Sequence, residues 1–132
     1  FENKKLSKNQ ILDMYSKKTG KLFEFSFAST FILKNKSKKD IQFAKEYGML
    51  FGLIYQVIDD LIDEIGTFKK IGKTPGKDIE QGKSTLLELI GEKKVTALCK
   101  NKINNFKKKY NDKLIKHSLL MDLLEFGMNR IN

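Results

Sequence analysis

The chain has 132 residues and a formal net charge of +10 at pH 7, with 26 basic and 16 acidic side chains. Its length allows one domain at most, which is small for an enzyme that encloses a cavity. The sequence contains no signal peptide, no apolar run of transmembrane length and a single cysteine, Cys99. These features exclude a membrane-spanning or disulfide-rich protein and predict a cytoplasmic one.

The positive charge first suggests nucleic-acid binding, because polyanions attract basic proteins. The excess is almost entirely lysine, however, and Arg130 is the only arginine. Proteins that read base sequence depend heavily on the bidentate geometry of arginine. We therefore interpret the lysines as solvated surface charge, and a basic helical nucleic-acid-binding module stays open as an alternative.

The first predicted helix begins at Ser7, where Gln10 three residues later can complete a capping box. Apolar residues continue from there at helical spacing to about Leu33. Three phenylalanines between residues 23 and 27 alternate as they would in a strand, so periodicity alone leaves this part ambiguous. The helical patterns on both sides favour a helix.

The tripeptide Lys18-Thr19-Gly20 lies in the middle of this helix. A glycine inside a helix costs about 1 kcal/mol relative to alanine. Its position therefore suggests that a ligand or a neighbouring helix comes close here. A solvated lysine beside a tolerated glycine is the simpler alternative.

The next helix is predicted to begin at Ser37 and to end at Ile65, with Gly66 as its C-cap. With Gln56 at zero on a helical wheel, three aspartates fall within about 100° of one another. They are Asp59, Asp60 and Asp63. Apolar residues occupy most of the remaining circumference, so we predict a buried helix whose acidic stripe faces an internal cavity.

Carboxylates this close together repel one another unless cations neutralise them. Without histidine or cysteine nearby, the three aspartates suit Mg²⁺, which takes carboxylate, water and phosphate oxygens. The glycine-rich loop that follows carries Lys73, Lys77 and Lys83. Acids followed by lysines predict a metal-bridged diphosphate; an acidic solvated face with a basic surface loop is the alternative.

The remaining helices are predicted to pack rather than to perform chemistry. Thr85 and Glu88 can cap a short helix that stops at Gly91, and an amphipathic helix follows over residues 92–110. Asn111-Asp112 is expected to break this helix, and a last helix is predicted over residues 114–124. His117 has no partner in the sequence and is expected at the surface.

The order of these motifs resembles the trans-isoprenyl diphosphate synthases, the farnesyl and geranylgeranyl diphosphate synthase family. The resemblance rests on Lys18-Thr19-Gly20, on residues 56–63 with their Gln-x-x-Asp-Asp-x-x-Asp pattern, and on the Gly- and Lys-bearing loop over residues 66–85. It implies an all-α helical bundle of the isoprenoid synthase type. Residues 1–132 would form the C-terminal half of a polyprenyl synthase domain.

The resemblance also implies an activity: Mg²⁺-dependent condensation of an allylic diphosphate with isopentenyl diphosphate to give a trans-prenyl diphosphate. It implies that Lys18 and Thr19 contact the allylic diphosphate and stabilise the carbocation, and that Asp59 ligates metal with help from Asp60 and Asp63. It further implies that Gln56, Lys73 and Lys83 face the diphosphate. Asp78 would orient the two lysines. Gly48 and Gly52 are expected to leave room for the isoprenoid tail, with close helix packing as the alternative.

The family carries a first Asp-rich motif and an arginine pair upstream of the Lys-Thr-Gly segment, and neither occurs in these 132 residues. We therefore expect a fragment, a processed chain or one half of a split enzyme, inactive without an N-terminal half. A homodimer is expected from the family. A non-catalytic, synthase-like regulatory subunit stays open as an alternative.

Overall fold

The computed structural model describes residues 5–71 and 84–131, with the backbone alone for 67–71 and 131. These residues form helices and no strand, so the predicted all-α class is confirmed. The elements in chain order are α1 (Lys8–Tyr15), a π-helical turn (Ser16–Gly20), α2 (Lys21–Leu33), α3 (Lys38–Ile71), α4 (Leu86–Ile90), α5 (Glu92–Lys116) and α6 (Ser118–Ile131). None of the described helices is both long and apolar enough to cross a membrane.

The predicted first helix is confirmed from its cap to Leu33. The Ser7 hydroxyl accepts from the Gln10 backbone N–H at 3.3 Å, and the Gln10 side chain accepts from the Ser7 N–H at 2.8 Å. These two bonds satisfy donors that the first turn leaves without partners. The difference lies in the middle, where Ser16–Gly20 form a π-helical turn between α1 and α2.

The central helix α3 begins as predicted but continues further. The Ser37 hydroxyl accepts from the Asp40 N–H at 3.1 Å, and the helix then runs for 34 residues to Ile71. The prediction that it ends at Ile65 with Gly66 as C-cap is therefore wrong. Gly66 keeps a helical backbone, because one glycine weakens a helix by only about 1 kcal/mol and does not stop it.

The core is built around the first two thirds of α3. Phe43, Tyr47, Ile54 and Val57 are fully or almost fully buried there. They form one core with buried side chains of α1, α4, α5 and α6, which are Ile11, Leu86, Val95, Cys99, Ile103, Leu114 and Leu124. The one buried side chain of α2 is Ala28. Each large core side chain is worth about 2–5 kcal/mol against truncation to alanine.

The second half of α3 departs from the prediction of a helix covered on all sides. Tyr55, Ile62 and Ile65 are each about half exposed. Asp59 and Asp63 are exposed as well, so the acidic stripe does not face an enclosed cavity within the described residues.

The C-terminal region differs from the prediction at two points. The predicted break at Asn111-Asp112 is present one residue earlier, as a kink at the non-helical Tyr110, and helical backbone then continues to Lys116. The helix α5 ends at His117, whose N–H donates to the Lys113 and Leu114 carbonyls. The prediction that His117 is a surface residue is wrong, because its ring is partly buried against Phe31 and Phe43.

Candidate functional site

The candidate site lies where the second half of α3 meets the π-helical turn and the start of α4. Four of the polar residues predicted from the sequence are on this part of α3. Gln56 is buried, Asp60 is partly buried, and Asp59 and Asp63 are exposed. The fold therefore gives the three aspartates of one motif different surroundings.

A continuous set of hydrogen bonds, here called the polar chain, joins Thr19, Gln56, Asp60, Tyr15 and Leu86. The Thr19 hydroxyl donates to Gln56 Oε1 at 2.9 Å, and Gln56 Nε2 donates to Asp60 Oδ1 at 3.1 Å. The Tyr15 hydroxyl donates to Asp60 Oδ2 and accepts from the Leu86 N–H at 3.1 Å. The polar chain thus connects four elements: α1, the π-helical turn, α3 and α4.

Simple chemistry fixes the direction of these bonds. An ionised carboxylate only accepts, so the NH₂ group of Gln56 must face Asp60. The amide oxygen of Gln56 then faces Thr19, which supplies the proton of their hydrogen bond. Because Gln56 is 6% exposed, both ends of its amide need these partners.

Burial raises the pKa of the Asp60 carboxyl, and repulsion from Asp59 and Asp63 raises it further, whereas the hydrogen bonds from Tyr15 and Gln56 act in the opposite direction. Burial, and then the hydrogen bond to Asp60, also raise the pKa of the Tyr15 hydroxyl. Tyr15 therefore keeps its proton at neutral pH and remains a donor to Asp60.

Close helix packing brings the π-helical turn to α3. A Cβ atom added at Gly52 would lie 2.8 Å from the Gly20 Cα, and one at Gly48 would lie 2.5 Å from the Phe23 carbonyl oxygen. Both distances are too short for a real side chain, so the two glycines let α3 touch the preceding helix. The expectation that they leave room for an isoprenoid tail is wrong, and the packing alternative is confirmed.

The Lys-Thr-Gly segment is therefore explained in part by packing. Gly20 is buried against α3, Thr19 joins the polar chain, and Lys18 is exposed on the same π-helical turn. A π-helical turn inserts an extra residue into a helix and often marks a functional site. Here the five residues of the turn, Ser16–Gly20, include all three predicted positions.

Four residues predicted for the diphosphate loop lie outside the described residues. They are Lys73, Lys77, Asp78 and Lys83. Their roles stay predictions.

The described residues contain no group of three or more His, Cys, Asp or Glu side chains arranged to hold a metal ion. Both Asp60 oxygens already accept hydrogen bonds from the protein. Asp59 and Asp63, four residues apart on one helix, are exposed and carry hard oxygen donors. Two such carboxylates fit Mg²⁺, which usually takes one or two from a protein and completes its shell with water and phosphate oxygens.

Sequence reasoning missed Tyr15, which it treated as one apolar position of the first helix. The structure makes it the contact between Asp60 and the start of α4. The available signal was its spacing: Tyr15 and Thr19 are four residues apart and so share a helix face. The partner of that face could not be identified from the sequence.

An open groove of about 710 Å³ lies beside the site, between α1, the π-helical turn, α2, α3 and α5. Its walls include the apolar side chains of Leu12, Met49 and Leu53 and the charged side chains of Lys102 and Lys109. None of the predicted site residues in the described part of the chain lines it. The groove is therefore separate from the polar chain.

Comparison with known proteins gives one family. The family model described as polyprenyl synthetase matches residues 1–121. The chain is 39% identical over 87 residues to a short chain isoprenyl diphosphate synthase of Methanocaldococcus jannaschii, a match that covers 66% of this chain and 27% of that protein. No solved structure matches the chain significantly.

Two further relatives have similar names. A farnesyl diphosphate synthase of Micrococcus luteus is 33% identical over 77% of this chain and 35% of its own length. A geranylgeranyl diphosphate synthase of Sulfolobus acidocaldarius is 30% identical over 72% of this chain and 28% of its own length. The matches thus cover about a third of each relative.

Proposed function

This chain belongs to the polyprenyl synthetase family, and we propose that it forms the second diphosphate- and magnesium-binding wall of a trans-prenyltransferase. The observation that carries the proposal is the hydrogen bond between Thr19 and Gln56, two residues 37 positions apart. It brings the Lys-Thr-Gly segment against the acidic stripe of α3. The names of the relatives, which are isoprenyl, farnesyl and geranylgeranyl diphosphate synthases, support the same reaction class.

The proposed reaction joins isopentenyl diphosphate to an allylic diphosphate, dimethylallyl or geranyl. The allylic C–O bond breaks with its electron pair leaving on the diphosphate, which produces an allylic cation. The double bond of isopentenyl diphosphate attacks this cation, and loss of a proton gives a longer trans-prenyl diphosphate such as farnesyl diphosphate. Inorganic diphosphate and the proton are the other products.

In this proposal the chain contributes position and charge. Lys18, exposed on the π-helical turn, would donate to the departing diphosphate. The Thr19 hydroxyl donates to Gln56 in this structure, so it would contact the diphosphate by turning that proton toward the bound anion. Lys73 and Lys83 add positive charge to the same anion, with Asp78 orienting them. Fixed donors aimed at developing negative charge are among the largest contributions to catalysis, about 100- to 1,000-fold for one donor.

Asp59 and Asp63 would hold Mg²⁺, with Asp60 supporting them through its fixed carboxylate. The bound ion supplies Lewis-acid neutralisation of the diphosphate. The exposure of Asp59 and Asp63 supports this assignment, because a hydrated ion can approach both carboxylates from solvent.

The partners proposed for the chain follow from its family. The first Asp-rich motif would come from an N-terminal half, which is supported by matches that cover only about a third of each relative. The complete enzyme is proposed to be a cytoplasmic homodimer that binds no nucleic acid. The 132 residues alone are proposed to be inactive.

The first test replaces Asp59 or Lys73 by alanine in the complete enzyme. We expect turnover to fall by at least about 100-fold in each variant, because each change removes charge that stabilises the departing diphosphate. Circular dichroism should show unchanged helix content.

Matched controls are Asp122→Ala and Lys100→Ala, which remove exposed charges from α6 and α5. Both should keep wild-type turnover. If Asp59→Ala and Lys73→Ala keep it too, the site assignment is wrong, and a non-catalytic regulatory subunit becomes the better description. Salt-dependent binding of RNA or DNA without Mg²⁺-dependent diphosphate binding would instead favour the nucleic-acid alternative.

A further inference from the structure

Tyr15 occupies the one point where α1, α3 and α4 meet in the polar chain. Its side chain is 3% exposed, and its hydroxyl contacts residues 45 and 71 positions away along the sequence. A tyrosine hydroxyl has one proton to donate, and Tyr15 gives it to Asp60. The hydroxyl oxygen then accepts the backbone N–H of Leu86.

Each end of this contact needs Tyr15. Leu86 is the first residue of α4, so its N–H has no partner within that helix and is satisfied by the tyrosine instead. Asp60 accepts from Tyr15 on one oxygen and from Gln56 on the other. Two donors from different elements fix the plane of the carboxylate, and removing either leaves it free to turn.

We propose that Tyr15 is a positioning residue of the diphosphate site: its hydroxyl fixes the Asp60 carboxylate beside Asp59 and Asp63 and ties the start of α4 to the acidic stripe. The inference rests on the proposed function and adds a residue to it. Tyr15 acts through Asp60 and touches neither substrate nor metal. Residues that orient metal-binding carboxylates in this way typically change metal affinity 10- to 100-fold when mutated.

A purely structural role for Tyr15 is the competing explanation, and the chain offers a matched control. Tyr47 is also fully buried, lies on α3, and donates its hydroxyl to a protein acceptor, the Leu120 carbonyl, at 2.8 Å. It contacts none of the proposed site residues through that hydroxyl. Tyr47→Phe and Tyr15→Phe therefore remove the same buried group at two distances from the site.

The experiment measures binding of inorganic pyrophosphate to the complete enzyme by calorimetry over a series of Mg²⁺ concentrations. We expect Tyr15→Phe to need about tenfold more Mg²⁺ for half-maximal binding, and Tyr47→Phe to stay within about twofold of wild type. Amide hydrogen exchange at Leu86 should become faster in Tyr15→Phe only.

The outcomes separate this inference from the proposed function. If the wild type shows no Mg²⁺-dependent pyrophosphate binding, the proposed function fails and the role of Tyr15 fails with it. If the wild type binds and Tyr15→Phe matches Tyr47→Phe in Mg²⁺ requirement, only the role of Tyr15 is overturned.

A second measurement needs no variant and covers the case in which Tyr15→Phe does not fold. In the wild type, saturating Mg²⁺ and pyrophosphate should slow exchange of the Leu86 amide, because Asp60 and Leu86 share the Tyr15 hydroxyl. Amides in α6 should change little. Unchanged Leu86 exchange at saturation would overturn the proposed connection.

Discussion

Single residues of the same type serve different purposes in this chain because the fold places them differently. Asp59 and Asp63 are open to solvent, whereas burial raises the pKa of Asp60 and two protein donors hold its carboxylate. Asp40, on the same helix, is held by Lys113 of α5 and by Ser37. The motif on its own predicts the same surroundings for Asp59, Asp60 and Asp63.

The Asp40–Lys113 ion pair predicts a loss of stability in acid. Hydrogen bonds from Lys113 and then Ser37 lower the pKa of Asp40 from 3.8 to about 2. A carboxylate whose pKa is lower in the folded than in the unfolded state stabilises the folded protein at pH values above the unfolded-state pKa. This contribution disappears as pH falls from about 4 to about 2. Thermal melts across this range should show a smaller acid-side decrease in Tm for Asp40→Asn than for wild type.

The control for this prediction is Asp122→Asn, an exposed position on α6. Its acid-side decrease in Tm should follow the wild type. If Tm decreases equally with falling pH in Asp40→Asn and wild type, the ion pair does not contribute to stability in solution.

At the scale of elements, the contact between the π-helical turn and α3 organises the site. Gly20 and Gly52 meet backbone to backbone, and this proximity lets Thr19 reach Gln56. The approach needs glycine on α3 because a Cβ atom there would lie 2.8 Å from the Gly20 Cα. Packing, rather than space for a ligand, explains Gly52.

Gly52→Ala should therefore destabilise the protein by about 1–3 kcal/mol, because the added methyl group forces two helix backbones apart. Urea unfolding measures this change in the free energy of unfolding. Turnover should fall as well, since the Thr19–Gln56 contact depends on the same approach.

Gly66→Ala on the same helix is the matched control. Nothing lies within 4 Å of a Cβ atom at Gly66, so alanine meets no clash there. Its higher helix propensity should stabilise the protein by about 0.5–1 kcal/mol. A Gly52→Ala variant as stable as wild type would contradict the close approach of the two helices.

At the scale of the whole molecule, α3 has a packed end and an open end among the described residues. The first half of α3 is held by buried aromatic side chains, which include Phe43 and Tyr47, and by the ion pair between Lys109 and Glu46 at 2.8 Å. The second half presents exposed Asp59 and Asp63 beside half-exposed Tyr55 and Ile62. The site therefore lies at the open end.

This arrangement predicts that the 132 residues alone do not turn over substrate. Mixed with Mg²⁺, isopentenyl diphosphate and geranyl diphosphate, the chain should form no prenyl product, because these 132 residues carry one Asp-rich motif, at residues 59–63, and the proposed reaction needs two. Addition of a polypeptide that carries the first Asp-rich motif should restore product formation, measured with radiolabelled isopentenyl diphosphate. Asp59→Ala serves as the inactive control, and turnover by the isolated chain would contradict the prediction.

The sequence by itself determined the features that depend on near neighbours. The capping boxes at Ser7 and Thr85, the end of a helix at Gly91 and the helical class follow from residues within one or two turns of each other, and all are confirmed. The Gln-x-x-Asp-Asp-x-x-Asp pattern and Lys-Thr-Gly likewise indicated the family, which the comparisons confirm.

Only the tertiary structure decided which side chains meet. The contacts of Thr19 with Gln56, Tyr15 with Asp60 and Tyr15 with Leu86 join residues 37, 45 and 71 positions apart. Helical periodicity shows which residues share a face, but it does not show which other helix packs on that face. For that reason the packing role of Gly52, the partial burial of His117 and the contacts of Tyr15 became visible only once the helices were packed.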